Sequence, residues 1–109
     1  MIKKYNKLVR DEIPNIIIKN NGKPYIRTLE DKEYKRELEK KLLEEYNEVL
    51  EAKDSNSRIE ELADMIEIIS SLAKLENSTF DEVIKVAKIK KEKRGGFDKK
   101  IFLEKVIED

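Results

Sequence analysis

Apolar residues recur along this chain at intervals of three and four rather than in alternation, which is the period of helices that bury one side. Leu38, Leu42, Tyr46 and Val49 form one such stripe. Leu62, Met65, Ile66, Ile69 and Leu72 form a second, broadened by Ile68. Capping residues set the ends. Thr28 is placed to cap the first long helix, with Glu30 and Asp31 in its first turn to offset the positive end of the dipole, and the pattern runs to about Lys53. At 1.5 Å per residue that helix would span roughly 37 Å, long for a chain of this size. Residues 53–57 read as a turn, and a second long helix follows from near Ser57 to Glu76 and Asn77. Helices joined by so short a turn lie antiparallel, side by side.

Shorter elements flank this pair. Asp11 is an N-cap candidate for a short helix through Ile16, Ile17 and Ile18, with Pro14 tolerated in its first turn and Asn21 and Gly22 ending it. Gly22, Lys23 and Pro24 then turn the chain, and Tyr25, Ile26 and Arg27 are expected to be extended. Downstream, Thr79 and Glu82 have the spacing of a capping box. They open a helix whose apolar side is Val83, Ile84, Val86, Ala87 and Ile89 and which ends at Gly95 and Gly96. The tail carries Ile101, Phe102, Leu103, Val106 and Ile107 in a pattern compatible with either strand or helix.

Composition narrows the chemistry. With 109 residues the chain is expected to form one domain, residues 1–109, with no room for a second core. Charged residues make up 44% of it while hydrophobic ones still reach 39%, a mixture suited to long amphipathic helices that self-associate. There is no cysteine and no histidine, so a disulfide framework, a thiolate site and an imidazole site are all excluded, and any metal must be held by oxygen. No run of 18 apolar residues occurs and the N-terminus lacks the apolar core of a signal peptide, so the expected location is cytoplasmic, without a membrane partner. Neither GxxxxGK[ST] nor GxGxxG is present.

The net charge is zero but unevenly spread. Residues 1–29 carry seven basic and two acidic side chains, residues 30–67 seven and fourteen, and residues 85–105 nine and three. Basic ends folded over an acidic centre would make a pocket with carboxylates for a metal and Lys/Arg for phosphates; the alternative is plain attraction between segments. Nucleic acid is not an expected partner, because the acidic centre opposes it.

Within that centre, Glu44, Glu45 and Glu48 are followed after twelve residues by Glu61 and Asp64, an EExxE and an ExxD pattern. Residues three apart share a helix face, so Glu45 with Glu48, and Glu61 with Asp64, present paired carboxylates that can meet across an antiparallel hairpin. Glu44 points nearly the opposite way. Four carboxylates together repel unless a cation neutralises them, which makes a divalent-metal site the sharp reading. Solvated faces of two amphipathic helices are the plain one. Near the end of the last helix, Lys90, Lys91, Lys93 and Arg94 crowd ahead of Gly95 and Gly96. The glycines suit a helix C-cap, but the crowded cations also suit a bound anion.

These segments, in this order, resemble the all-α nucleotide pyrophosphohydrolase superfamily, the MazG-like group. The opening Tyr5-Asn6-Lys7-Leu8-Val9-Arg10-Asp11-Glu12-Ile13-Pro14 and the closing Lys93-Arg94-Gly95-Gly96-Phe97 are similar to hallmarks of its small, phosphoribosyl-ATP-pyrophosphohydrolase-like branch. The resemblance implies metal ligands at Glu45, Glu48, Glu61 and Asp64, with Glu44 auxiliary. It also implies Mg²⁺ as cofactor, Mn²⁺ being possible on the same oxygen ligands, and hydrolysis of a nucleoside triphosphate to monophosphate and pyrophosphate. A glutamate of the set, Glu45 or Glu48 with Glu44 assisting, would accept the proton of the attacking water. Arg94 is the foremost candidate for the substrate's phosphates, with Lys90, Lys91 and Lys93 beside it. In the opening segment Asn6, Lys7 and Arg10 can reach the site, or the segment packs through Leu8, Val9 and Ile13.

The expectation is therefore an all-α protein, an antiparallel bundle of long helices completed by oligomerisation as a homodimer or larger, with short extended segments near the termini. Its expected activity is Mg²⁺-dependent pyrophosphohydrolysis of nucleotides, including non-standard ones. A phosphoribosyl-ATP pyrophosphohydrolase is the narrower enzymatic alternative. A non-catalytic helical interaction module, antitoxin-like or coiled-coil, is the other.

Overall fold

A computed structural model describes all 109 residues, which form four helices and no strand: α1 (Ile13–Lys19), α2 (Asp31–Glu51), α3 (Ser55–Leu75) and α4 (Phe80–Arg94). The chain is all-α, and no helix is long and apolar enough to cross a membrane. Two of the helix ends are set by asparagine. Asn21 (φ 67°) and Asn77 (φ 57°) take the left-handed conformation that asparagine tolerates, and the following amides turn back to carbonyls five residues earlier, Gly22 to Ile17 at 2.9 Å and Ser78 to Ala73 at 2.9 Å. Gly22 is required there for space: a Cβ would stand 2.6 Å from Ile17 Cγ2 and 3.2 Å from its carbonyl oxygen.

Capping corrects three expected boundaries. The short helix begins at Ile13 with Glu12, not Asp11, at its N-cap and no side-chain cap bond. The first long helix begins at Asp31, not after Thr28; its N-cap Glu30 makes no side-chain cap bond. Arg27 instead ties the preceding extended segment to the first turn through a two-pronged pair with Glu33, at 3.0 and 2.8 Å. The second long helix begins two residues earlier than its sequence suggested, because Asp54 takes the N-cap and accepts the Ser57 amide at 2.8 Å. Thr79 caps α4 as expected, accepting the Glu82 amide at 3.2 Å, but Glu82 completes no box: its carboxylate accepts the Ser78 hydroxyl at 2.8 Å. The tail from Phe97 onward adopts neither of its two expected forms and carries no regular structure.

The hairpin of α2 and α3 is the body of the molecule. Lys35 near the start of α2 lies 3.9 Å from Glu76 just past the end of α3, as antiparallel packing demands. Its seam is narrow. Leu38, Ile68 and Ala73 are the three buried residues, with Leu42, Val49, Met65 and Leu72 half-buried beside them. Tyr46, Leu62 and Ile66, assigned by the sequence to the inner stripes, stand exposed on the outer flank. The seam runs instead along the side where Ile68 lies, and that rotation brings the carboxylates of both helices to its edge.

Candidate functional site

Glu45 on α2 faces Glu61 and Asp64 on α3 in the part of the hairpin nearer the connecting turn. One oxygen from each of the three lies within 4.8 Å of the other two, and all three residues are half-buried. Glu48, one turn on from Glu45, is more exposed and borders Glu61 and Glu45. The geometry follows from the short connection: with the turn at 52–54, residues equidistant from it come level, and Glu45 meets Glu61. Glu44 lies about 100° further round α2 and is exposed, outside the group.

The electrostatics are those of anions without enough cations. Burial, and then the negative charges of Glu48 and Asp64, raise the Glu45 carboxyl above its ordinary range, while a hydrogen bond with Glu61 opposes the rise. Glu48 is raised first by sharing a hydrogen with Glu61, then by burial and by the charge of Glu61. Glu61 is raised by its hydrogen bond to Glu45, which outweighs the opposing one from Glu48. All three shifts run towards the neutral form, the direction that crowding of carboxyl groups imposes. Even so, Oε2 of Glu45 and Oε2 of Glu61 are shut from solvent and meet no donor group of another residue type. A buried carboxylate oxygen facing only other carboxylates is costly, and a hard cation would remove that cost. An all-oxygen set lacking imidazole and thiolate fits Mg²⁺ or Mn²⁺, which retain water and accept phosphate oxygens as further ligands.

A single basic side chain meets the group. Arg10 donates from Nη2 to Asp64 Oδ1 at 2.7 Å, bringing the segment before α1 onto the hairpin across 54 positions of sequence. Leu8, Val9 and Ile13 are half-buried in the same segment, so packing and contact with the site coincide there. Arg10 was one of three polar candidates in its stretch, and nothing in its spacing singled out Asp64 as its partner. Asn6 and Lys7 make no polar contact with the cluster; Lys7 lies over the Tyr5 ring, 5.5 Å from its centroid. Lys90, Lys91, Lys93 and Arg94 stand exposed on the last turns of α4, and none of them pairs with a carboxylate. After them, Gly95 has φ 82° and ψ 174°, a conformation reserved for glycine but not the left-handed helical cap expected. The chain matches no family model, no curated protein and no solved structure.

Proposed function

We propose that this chain is a divalent-metal-dependent nucleotide pyrophosphohydrolase, splitting a nucleoside triphosphate into monophosphate and pyrophosphate. The observation that carries the proposal is the convergence of Glu45, Glu61 and Asp64, bordered by Glu48, with two solvent-excluded oxygens that meet no donor group of another residue type. The order of the acidic motifs and of the flanking segments, similar to that of the MazG-like group, supplies the reaction class. In this reading Glu45, Glu61 and Asp64 hold Mg²⁺, or Mn²⁺, with Glu48 closing the set. A bound cation of this kind offsets phosphate charge and acidifies a water molecule.

The chain's own residues do the rest. Glu48, at the open edge of the group, accepts the proton released as water adds across the α–β anhydride. Arg10 is the guanidinium placed to turn from Asp64 to a phosphate oxygen, a planar fork suited to that partner. The exposed cations of α4 remain candidates for the distal phosphates. The working form in this reading is a homodimer or larger assembly. Pyrophosphate release should be measured over a panel of standard and modified nucleoside triphosphates with Mg²⁺, Mn²⁺ or EDTA. Metal-dependent release that Asp64→Asn abolishes is the expected result; no release from any member of the panel would reject the reaction.

A further inference from the structure

The chain before α2 is an arm with one polar fastening to the hairpin's acidic group. Its helix, α1, packs on no other helix of the chain. Among residues 1–26, every hydrogen bond but one stays within the arm, as do the contacts of Lys3 and Lys7 with the Tyr5 ring; the exception is Arg10 to Asp64. Leu8 and Val9, next to Arg10, are half-buried, whereas residues 1–7 are exposed throughout. A seven-residue helix is too short to persist unsupported, so the seating of the arm depends on the stretch from Leu8 to Arg10.

That fastening is made to a residue of the candidate metal site. Asp64 accepts from Arg10 at 2.7 Å through Oδ1, and one of its oxygens lies within 4.8 Å of Glu45 and Glu61. Neither glutamate is paired with a basic side chain, so the guanidinium is the one cation in contact with the group. A divalent ion on the same carboxylates draws off the charge that holds Arg10 and repels the guanidinium. Each cation therefore weakens the hold of the other. The ion pair is also weak enough to yield, because its side chains are 57% and 40% exposed and water screens it.

We infer that Arg10 is a stand-in cation and the arm a latch that the metal opens. Binding at the carboxylates releases Arg10 from Asp64, and Leu8 and Val9 leave their half-buried setting with it. By reciprocity the fastened arm lowers the affinity for metal by the same factor as metal lowers the fastening. The latch also orders events at the site, since the guanidinium becomes free for a phosphate oxygen only once the metal is in place. This inference rests on the reading of Glu45, Glu61 and Asp64 as metal ligands and not on the reaction assigned to them.

Two measurements on the full chain test it. In calorimetric titration with Mg²⁺, Arg10→Gln should bind about two to five times more tightly than wild type, the range that an exposed ion pair can withhold. Lys7→Gln removes a positive charge from the same stretch without touching Asp64, and should leave the affinity unchanged. Weaker or equal binding by Arg10→Gln would overturn the latch, weaker binding meaning that Arg10 orients Asp64 for the metal. The second measurement uses the absence of cysteine, which makes Val9→Cys, or Leu8→Cys should that variant not fold, the bearer of a unique thiol. Saturating Mg²⁺ should speed its reaction with a maleimide by about threefold or more over the rate in EDTA. With Arg10→Gln added, the faster rate should hold with and without Mg²⁺. Mg²⁺ that binds without changing the thiol rate would overturn the latch and spare the metal site, whereas no binding by any of the proteins would refute the metal site and the latch with it.

Discussion

Glu45→Gln should change the sign of its effect on stability with the metal content of the buffer. In EDTA at neutral pH the Glu45 oxygen has like charges within 4.8 Å. One such neighbour costs about 0.9 kcal/mol at the dielectric constant of water and more where solvent is excluded. Glu45 is only partly buried, so the lower figure is the appropriate one, and two neighbours bring the repulsion to about 1 to 2 kcal/mol. Glutamine keeps the shape and removes the charge. The variant should therefore melt several degrees above the wild type in EDTA at low ionic strength, with the gap shrinking in 1 M salt, where the Debye length is about 3 Å. Saturating Mg²⁺ reverses the order. Ligand at a hundred times its Kd stabilises the wild type by about 2.7 kcal/mol, whereas a variant lacking a ligand gains little. Differential scanning calorimetry of both proteins in EDTA and in a Mg²⁺ or Mn²⁺ series, at fixed chain concentration, reads both effects. Equal stabilisation of the two proteins by metal would refute the assignment of Glu45, and a variant less stable than wild type in EDTA would refute the claim of repulsion.

Other substitutions separate the candidate roles. Glu44→Gln should reduce turnover less than Glu45→Gln, since Glu44 stands outside the group; equal losses of kcat/KM would count against the ligand set. Arg10→Ala should lower kcat/KM by about 1.5 to 3 kcal/mol, the range for a hydrogen bond to a charged partner, and hardly move the melting temperature, because an exposed ion pair contributes about 0 to 1 kcal/mol; unchanged kinetics would return Arg10 to packing alone. Gly95→Ala should destabilise by about 1 kcal/mol, its φ of 82° being strained for any side chain, and a denaturant midpoint equal to wild type would contradict this. The carboxyls of Glu45, Glu48 and Glu61 are raised from the ordinary 4.5, so the folded state binds protons more tightly there than the unfolded one. Their contribution is complete below pH 4.5 and is lost as the pH rises through the raised values. Melting temperature in EDTA should accordingly fall from mild acid towards neutrality, and saturating Mg²⁺ should flatten the curve; a profile in EDTA that rises over that interval would contradict the repulsion.

The local pattern determined that helices would form and closely where. Periodicity marked α2, α3 and α4, Asn21 and Gly22 ended α1, and Thr79 opened α4, because each of these acts through bonds within a few residues of itself. The helix starts were displaced, α1 following Glu12 and not Asp11, α2 following Glu30 and not Thr28, and α3 following Asp54 rather than opening near Ser57, because the path of the chain into each helix and not residue type alone decides where it begins. The EExxE and ExxD spacing also placed Glu45 and Glu48, and Glu61 and Asp64, each pair on one face of its own helix. What it left open was rotation. A stripe of apolar residues wider than the contact it makes can be turned either way, and only the packing of α3 on α2 decided that Ile68 would be buried and Tyr46, Leu62 and Ile66 exposed. That rotation carries Glu61 and Asp64 to the seam opposite Glu45 and frees an apolar face on the far side. Likewise the meeting of Arg10 with Asp64 spans 54 positions, a separation over which no local period acts, and it exists only because the chain before α1 returns to the hairpin.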